Sequence, residues 1–269
     1  MYRFIALDLD GTLTNSQKEV SQHTVDVLQE AAAKGTHIIL ASGRPLVGVM
    51  PIAQRLELPR IGGYVLSYNG GEAVDCSTGE CLIHKTIPME YYEDICASHR
   101  DFDVALVSYS SEGVLTEEPD DPYVHIEAKI NRTPIIAVPS LAKALPEPVV
   151  KFLAVGENEK LKRYQQFLRE KYGDALNLFF SETYFLEIVP PKIEKAASLE
   201  KILQLLGGSR EELIACGDGY NDITMIDYAG LGVAMENAQD ILRERADYIT
   251  DTNDNDGVAQ VVEKFLLGR

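Results

Sequence analysis

Residues 2–14 read YRFIALDLDGTLT. The stretch alternates and then runs apolar into two aspartates and a glycine, the profile of a buried strand that ends in a loop. A helix follows, with Ser21 placed to cap it, Val25, Leu28 and Ala32 on one face and Gly35 to stop it. HIILAS (37–42) is a second buried strand, leading into Gly43 and then Pro45 at a helix start. YVLSYNGG (64–71) is a third, ending in a glycine pair. Strand–helix–strand–helix–strand at this spacing predicts a parallel sheet with right-handed crossovers.

The texture changes from about residue 83 to 187. Strand-like runs (LIHKTI, DVALVSY, VVKFLAV, LNLFF, YFLEIV) become frequent and prolines cluster between Pro119 and Pro148. At least two helices intervene, the clearest over 157–172. This region reads as an α+β unit inserted into the first domain. The βα rhythm resumes after Pro190 and Pro191, with a helix around 196–206, the strand ELIACGD, a helix over 223–229, the strand LGVAM, a further helix and YIT. The expected organisation is a core over 1–82, an inserted domain over 83–187 and the rest of the core over 188–269.

Composition bounds the chemistry. With 42 acidic against 25 basic side chains the formal charge is −17, which repels nucleic-acid backbones and anionic membrane surfaces. No apolar run approaches the roughly 18–20 residues of a membrane-spanning helix. The N-terminal MYRFIALDLDG carries acids too early for a secretory signal. Cys76, Cys81, Cys96 and Cys216 show no metal-site spacing. Cys76 and Cys81 flank a Ser-Thr-Gly-Glu turn and would face each other across a hairpin, but scattered thiols of a reducing compartment are the expected reading. A soluble, cytoplasmic protein is expected.

Ligands of an open parallel sheet sit beyond the carboxyl ends of its strands. Those ends carry Asp8 and Asp10; Ser42, Gly43 and Arg44; Asn69, Gly70 and Gly71; and Asp218, Gly219, Asn221 and Asp222, with Lys195 preceding a helix close by in sequence. Each piece alone also reads as an ordinary loop, since Asp and Gly are common turn formers. Together they would crowd several carboxylates that repel one another unless a cation sits among them. At an effective dielectric near 20, two unit charges about 4 Å apart cost about 4 kcal/mol. An all-oxygen donor set favours a hard cation, Mg²⁺ where phosphate is present. If the chain stayed extended, Asp8 and Asp10 would share a face, one to attack and one to shuttle a proton. Gly11 would permit a sharp turn and Thr12 would supply a hydroxyl.

DLDGTLT (8–14), ASGRP (41–45), Lys195 and GDGYND (217–222) resemble, in order, the four signature motifs of the haloacid dehalogenase superfamily. GVAMENA (232–238) and TNDNDGVA (252–259) resemble its subgroup of Cof-type sugar phosphatases, which carry a large cap between the second and third motifs. The inserted unit is matched by position and length only. The resemblance implies a Rossmann-like, doubly wound α/β core with an inserted α+β cap. It implies Asp8 as nucleophile forming an aspartyl-phosphate and Asp10 as general acid/base. Mg²⁺ would be held by Asp8, the Asp10 carbonyl and Asp218. Phosphate would meet Ser42, Gly43, Lys195 and Asn221, with Thr12, Arg44 and Asp222 in support. Asp222 would ligate through water or orient Lys195. Ala196 replaces the family's usual glycine after the lysine, and Lys192 is a weaker candidate for the same role.

The expected activity is Mg²⁺-dependent hydrolysis of small phosphorylated metabolites, sugar phosphates first, with the inserted unit closing over the site. A phosphomutase of the same superfamily and a phospho-aspartate switch are the alternatives. Asp10 and the insertion favour turnover over a switch. Neither nucleic acid nor membrane is expected as a partner, and the chain is expected to act as a monomer or weak homo-oligomer. EEPDDPY (117–123) reads as a solvated loop, although it would also suit the cleft. The five histidines share no spacing. TNDNDG lacks the closing glutamate of a calcium loop and is assigned to supporting the metal site or a loop near it.

Overall fold

The structure is a computed structural model that describes residues 2–145 and 147–269. Along the chain its strands are β1 (Phe4–Leu7), β2 (His37–Ala41), β3 (Tyr64–Ser67), β4 (Glu72–Asp75), β5 (Cys81–His84), β6 (Ala105–Tyr109), β7 (Val114–Thr116), β8 (Ile135–Ala137), β9 (Phe152–Val155), β10 (Asn177–Glu182), β11 (Phe185–Val189), β12 (Leu213–Gly217), β13 (Leu231–Ala234) and β14 (Tyr248–Ile249). The residues fall into two compact units, one ending at Ile83 and resuming over Glu194–Arg269, the other spanning His84–Ile193.

The first unit is built on an eight-stranded sheet ordered β14-β13-β12-β1-β2-β3-β4-β5. Pairing is parallel from β14 through β3, and β4 turns back antiparallel on β3. Every residue of β1 is fully buried, as expected for the central strand of a sheet covered on both faces. From β1 the chain steps outward through β2 and β3. After the second unit it resumes at β12, on the other side of β1. Strand order therefore reverses between β1 and β12, and a crevice opens beyond the carboxyl ends of strands at such a reversal. Leu7 pairs with Cys216 across that seam, so Asp8 and the Gly217–Asp218 pair leave the sheet side by side.

The second unit carries a six-stranded sheet ordered β10-β11-β9-β6-β7-β8, antiparallel except for β7 beside β8. An apolar layer including Leu106, Phe152, Tyr164 and Leu186 forms its core. EEPDDPY is not simply a loop. Asp121 accepts from the N–H groups of Tyr123 (2.8 Å) and Val124 (3.3 Å), and Pro122 opens the helix Pro122–Asn131. An aspartate followed by a proline is a helix-start signal that the acidic run obscures.

Cys76 and Cys81 bracket the β4–β5 turn, and all four thiols are free. No helix among the described residues is long and apolar enough to cross a membrane.

The helix Lys195–Leu205 ends at Leu206, with Gly207 in the left-handed region and the Gly208 N–H donating to the Leu203 carbonyl (2.8 Å). A Cβ on Gly208 would lie 2.3 Å from Cε2 of the fully buried Phe4 ring. Gly208→Ala should therefore cost about 1–3 kcal/mol of stability through overpacking. Urea denaturation reads this directly, and a loss below about 0.5 kcal/mol, the ordinary surface range, would contradict the close approach.

Candidate active site

The Asp8 N–H donates to the Cys216 carbonyl (3.0 Å), which extends the β1–β12 ladder by one residue and fixes the backbone from which the carboxylate projects. Extension stops there. The Leu9 carbonyl accepts from the Thr14 N–H (2.9 Å) and hydroxyl (2.8 Å), and Gly11 sits at φ +86°. The loop turns back on itself, and the two aspartates take different surroundings. Asp8 is buried, whereas the Asp10 side chain is 37% exposed.

Lys195 begins its helix and is fully buried. Its Nζ donates to Asp8 Oδ1 and to Asp222 Oδ1, both at 2.6 Å. Asp222 Oδ2 accepts from the N–H groups of Asp218 (3.0 Å) and Gly219 (2.9 Å), so both its oxygens are engaged. Thr12 Oγ1 donates to Asp218 Oδ1 (2.8 Å). Two glycines are dictated by close approach. A Cβ on Gly11 would lie 2.4 Å from Asp218 Oδ2, and one on Gly217 would lie 2.5 Å from the Asp222 Cβ.

Asp8, Asp218 and Asp222 each offer a carboxylate oxygen within 4.8 Å of the others. One ammonium faces these three carboxylates. Burial and the charge of Asp222 drive the Asp8 carboxyl well up, with Lys195 opposing. Burial likewise lifts Asp218 to about 6, Asp222 adding to the rise and the Thr12 hydrogen bond resisting it. Burial pulls Lys195 down, but Asp222 and Asp8 outweigh it and keep the amine protonated. Among the described residues, Asp8 Oδ2 and Asp218 Oδ2 accept no hydrogen bond. The donor chemistry therefore fits a hard divalent cation between Asp8 and Asp218, while Asp222 is committed to Lys195 and two amides.

Asp10 lies outside this trio. Arg44 holds it in a fork, Nε to Oδ2 (2.7 Å) and Nη2 to Oδ1 (2.5 Å), and Lys18 Nζ donates to Oδ1 (2.7 Å). Burial pushes its carboxyl up, but the hydrogen bonds and charge of Arg44, then of Lys18, outweigh that and hold it below its ordinary value. The Ser42 hydroxyl accepts from the Arg44 N–H (3.1 Å), and Ser42's own N–H is spent on the Leu66 carbonyl (2.8 Å). Asn69, in the left-handed region, packs against Gly43 and accepts from Asn221 Nδ2 (3.1 Å). Gly70 lies against the Glu194 carbonyl, and its own carbonyl accepts from Ser198 Oγ (2.7 Å), which fixes the start of the Lys195 helix. Lys192 is exposed in the second unit, where its carbonyl accepts from Lys85 (2.8 Å).

Sequence reasoning assigns TNDNDG to supporting the metal site or a loop near it and takes GVAMENA for its resemblance, but does not identify the amides within them that brace the Asp8 loop. Asn237 Nδ2 donates to the Gly11 carbonyl (2.8 Å) and Asn237 Oδ1 accepts from the Asn253 N–H (3.0 Å). Asn253 Nδ2 donates to the Thr14 carbonyl (2.8 Å), and Asp254 accepts from the Ser16 N–H (2.7 Å). Short amides at 237 and 253, each just past the end of a strand run, are the signal that could have identified them. Lys18 was missed too, since a lone lysine in a polar turn carries no signal.

Lys195→Met should cost about 3–5 kcal/mol, because it strands two buried carboxylates without their counter-ion. Denaturant melts of the metal-free protein measure this, and a loss under 1 kcal/mol would show that the ammonium does not hold the site together.

A model of haloacid dehalogenase-like hydrolases matches residues 5–262. YcsE of Bacillus subtilis, a 5-amino-6-(5-phospho-D-ribitylamino)uracil phosphatase, is 31% identical, with 98% of this chain and 96% of that protein covered. YitU, of the same name and organism, is 30% identical with 97% of each covered. The crystal structure of a haloacid dehalogenase-like hydrolase from Bacteroides thetaiotaomicron superposes with a TM-score of 0.95 at 42% identity, covering 98% of this chain and 99% of that one. A parallel sheet that reverses at β1/β12, with Asp8, Lys195, Asp218 and Asp222 gathered at the reversal, accords with that match, and the chain belongs to the haloacid dehalogenase-like hydrolase family.

Proposed function

We propose that the protein is a Mg²⁺-dependent phosphomonoester hydrolase acting on small phosphorylated metabolites in the cytoplasm, with Asp8 as nucleophile. The observation that carries this reading is the buried Asp8–Lys195–Asp222 contact, with an Asp218 oxygen within 4.8 Å, at the strand-order reversal. Asp8, Asp218 and the Asp10 carbonyl would hold Mg²⁺, which when bound supplies the positive charge that lets an anionic carboxylate approach an anionic phosphate.

Asp8 is anchored by its backbone bond to Cys216 and by Lys195, so its carboxylate is presented with little freedom left to lose. An Asp8 oxygen forms a bond to phosphorus as the bond from phosphorus to the leaving-group oxygen breaks. Asp10, which Arg44 and Lys18 hold ionised in the free site, would take up a proton from solvent as the anionic substrate binds beside it and give that proton to the leaving-group oxygen. Lys195 and the hydroxyl hydrogen of Ser42 neutralise charge on the transferring group, and Asn221 binds its rim. In the second half Asp10 takes a proton from water, the water oxygen bonds to phosphorus, and the Asp8 carboxylate is released with inorganic phosphate. Asp222 acts through Lys195 and the Asp218–Gly219 amides, not on substrate.

Phosphorylated sugars and polyols are the substrate class we favour. Two relatives are named for a phosphoribityl substrate, a polyol phosphomonoester with a poor alkoxide leaving group. Such a leaving group is the kind that needs a general acid.

Two experiments test the reading. Asp8→Asn should abolish Mg²⁺-dependent phosphate release from a panel of phosphorylated sugars while circular dichroism stays native; near-wild-type release would remove Asp8 from the role. Mg²⁺ alone should stabilise the wild-type protein by about 2.7 kcal/mol at a hundredfold excess over Kd. Asp218→Asn should lose that gain in thermal melts, and equal stabilisation of both proteins would place the metal elsewhere.

A further inference from the structure

Lys18 occupies a turn that does not depend on its side chain. The Lys18 N–H donates to the Asn15 carbonyl (2.8 Å), the Asn15 N–H to the Glu19 carbonyl (2.9 Å), and Asn15 Oδ1 accepts from the N–H groups of Gln17 and Glu19 (3.0 Å each). Asp254 ties the turn down through Ser16. Yet Lys18 sits at φ +61°, a left-handed conformation that glycine adopts freely and asparagine tolerates, and that a lysine occupies only at a conformational cost. The ion pair it makes does not account for its presence. Lys18 and Asp10 are 49% and 37% exposed, and exposed pairs contribute little to stability.

The contact does change Asp10. A carboxylate has about four lone-pair positions, two on each oxygen. Oδ1 accepts from Arg44 Nη2 and from Lys18 Nζ, so both of its positions are filled, whereas Oδ2 accepts only from Arg44 Nε. The fork of Arg44 fixes the plane of the carboxylate, and Lys18 decides which oxygen remains open. We propose that Lys18 is a positioning residue that closes Asp10 Oδ1 and so leaves Oδ2 as the oxygen that exchanges a proton with the leaving group and then with water. This rests on the reading of Asp10 as the acid–base group. Without Lys18 the carboxylate presents two competing oxygens, and the leaving-group oxygen meets the productive one less often.

The test compares Lys18→Gly, Lys18→Met and Lys18→Arg in the full-length, Mg²⁺-loaded protein, with glycerol 2-phosphate and p-nitrophenyl phosphate as substrates. The readout is kcat/KM, which reports the steps up to the first release of leaving group. An alkoxide needs the acid and p-nitrophenolate scarcely does. Lys18→Gly and Lys18→Met should therefore lose about tenfold on the alkyl ester and less than about threefold on the aryl ester, a modest part of the 10²–10⁴ a general acid contributes. Lys18→Arg should recover to within about threefold of wild type on the alkyl ester, since a long cation can still reach Oδ1. Lys18→Gly should melt at or above the wild-type temperature, because the backbone strain is relieved.

Equal losses on both esters, no loss on either, or recovery by Lys18→Met would overturn the assignment. Asp10→Asn separates the two levels. If it discriminates between the esters and Lys18→Gly does not, only Lys18 is misassigned. If Asp10→Asn itself fails to discriminate, the acid–base reading falls and Lys18 with it.

Discussion

The molecule is organised around an ammonium buried between two carboxylates. Lys195 is without solvent access, and so is Asp222. A lysine in that position is tolerable only because Asp8 and Asp222 both lie 2.6 Å away. The three groups come from three distant stretches of chain, so none can be placed without the others. Their contact joins the end of β1, the start of the Lys195 helix and the loop beyond β12. A third carboxylate, Asp218, then enters a neighbourhood already short of positive charge. That shortfall is what a divalent ion between Asp8 and Asp218 would make good.

Much of this was readable from sequence, for a definite reason. β1, β2, β3 and β12 are almost wholly buried, so each is written as a mainly apolar run, and the candidate site residues follow where those runs stop. Ser21 does cap the helix Gln22–Ala33, accepting from the Thr24 N–H (3.0 Å). The second unit was harder. β7 and β8 are three residues each, and β8 is only partly buried, so neither shows a period long enough to detect. Asp121 is hidden as a cap among other acids. Asp10 shows a different limit. Its spacing from Asp8 is visible in sequence, but its direction depends on Gly11, on hydrogen bonds to the Leu9 carbonyl and on two cations that come from elsewhere in the fold.

Amides from the far end of the chain complete the loop that sequence could only begin. Asn237 and Asn253 bond to each other and then to the Gly11 and Thr14 carbonyls, so they satisfy backbone groups in a turn that has no ladder of its own. Amide side chains suit the task because each carries both a donor and an acceptor. Their neutrality also matters. A carboxylate in either place would add to the crowding around Asp218, and a lysine would bring a competing positive charge.

The carboxylates differ in what they have left to offer. Asp222 has spent both oxygens on Lys195 and two N–H groups, so it can orient but not react. Asp8 and Asp218 have each spent one oxygen, on a lysine and on a threonine, and keep one for an ion or a phosphorus centre. Asp10 is separate from them, held in the fork of Arg44 and apart from Lys195. Four aspartates of identical chemistry thus differ in what they keep free: nothing on Asp222, one oxygen each on Asp8 and Asp218, and one lone-pair position on Asp10 Oδ2. The distinction lies in the hydrogen-bond partners that the fold supplies to each, because the side chains themselves are the same.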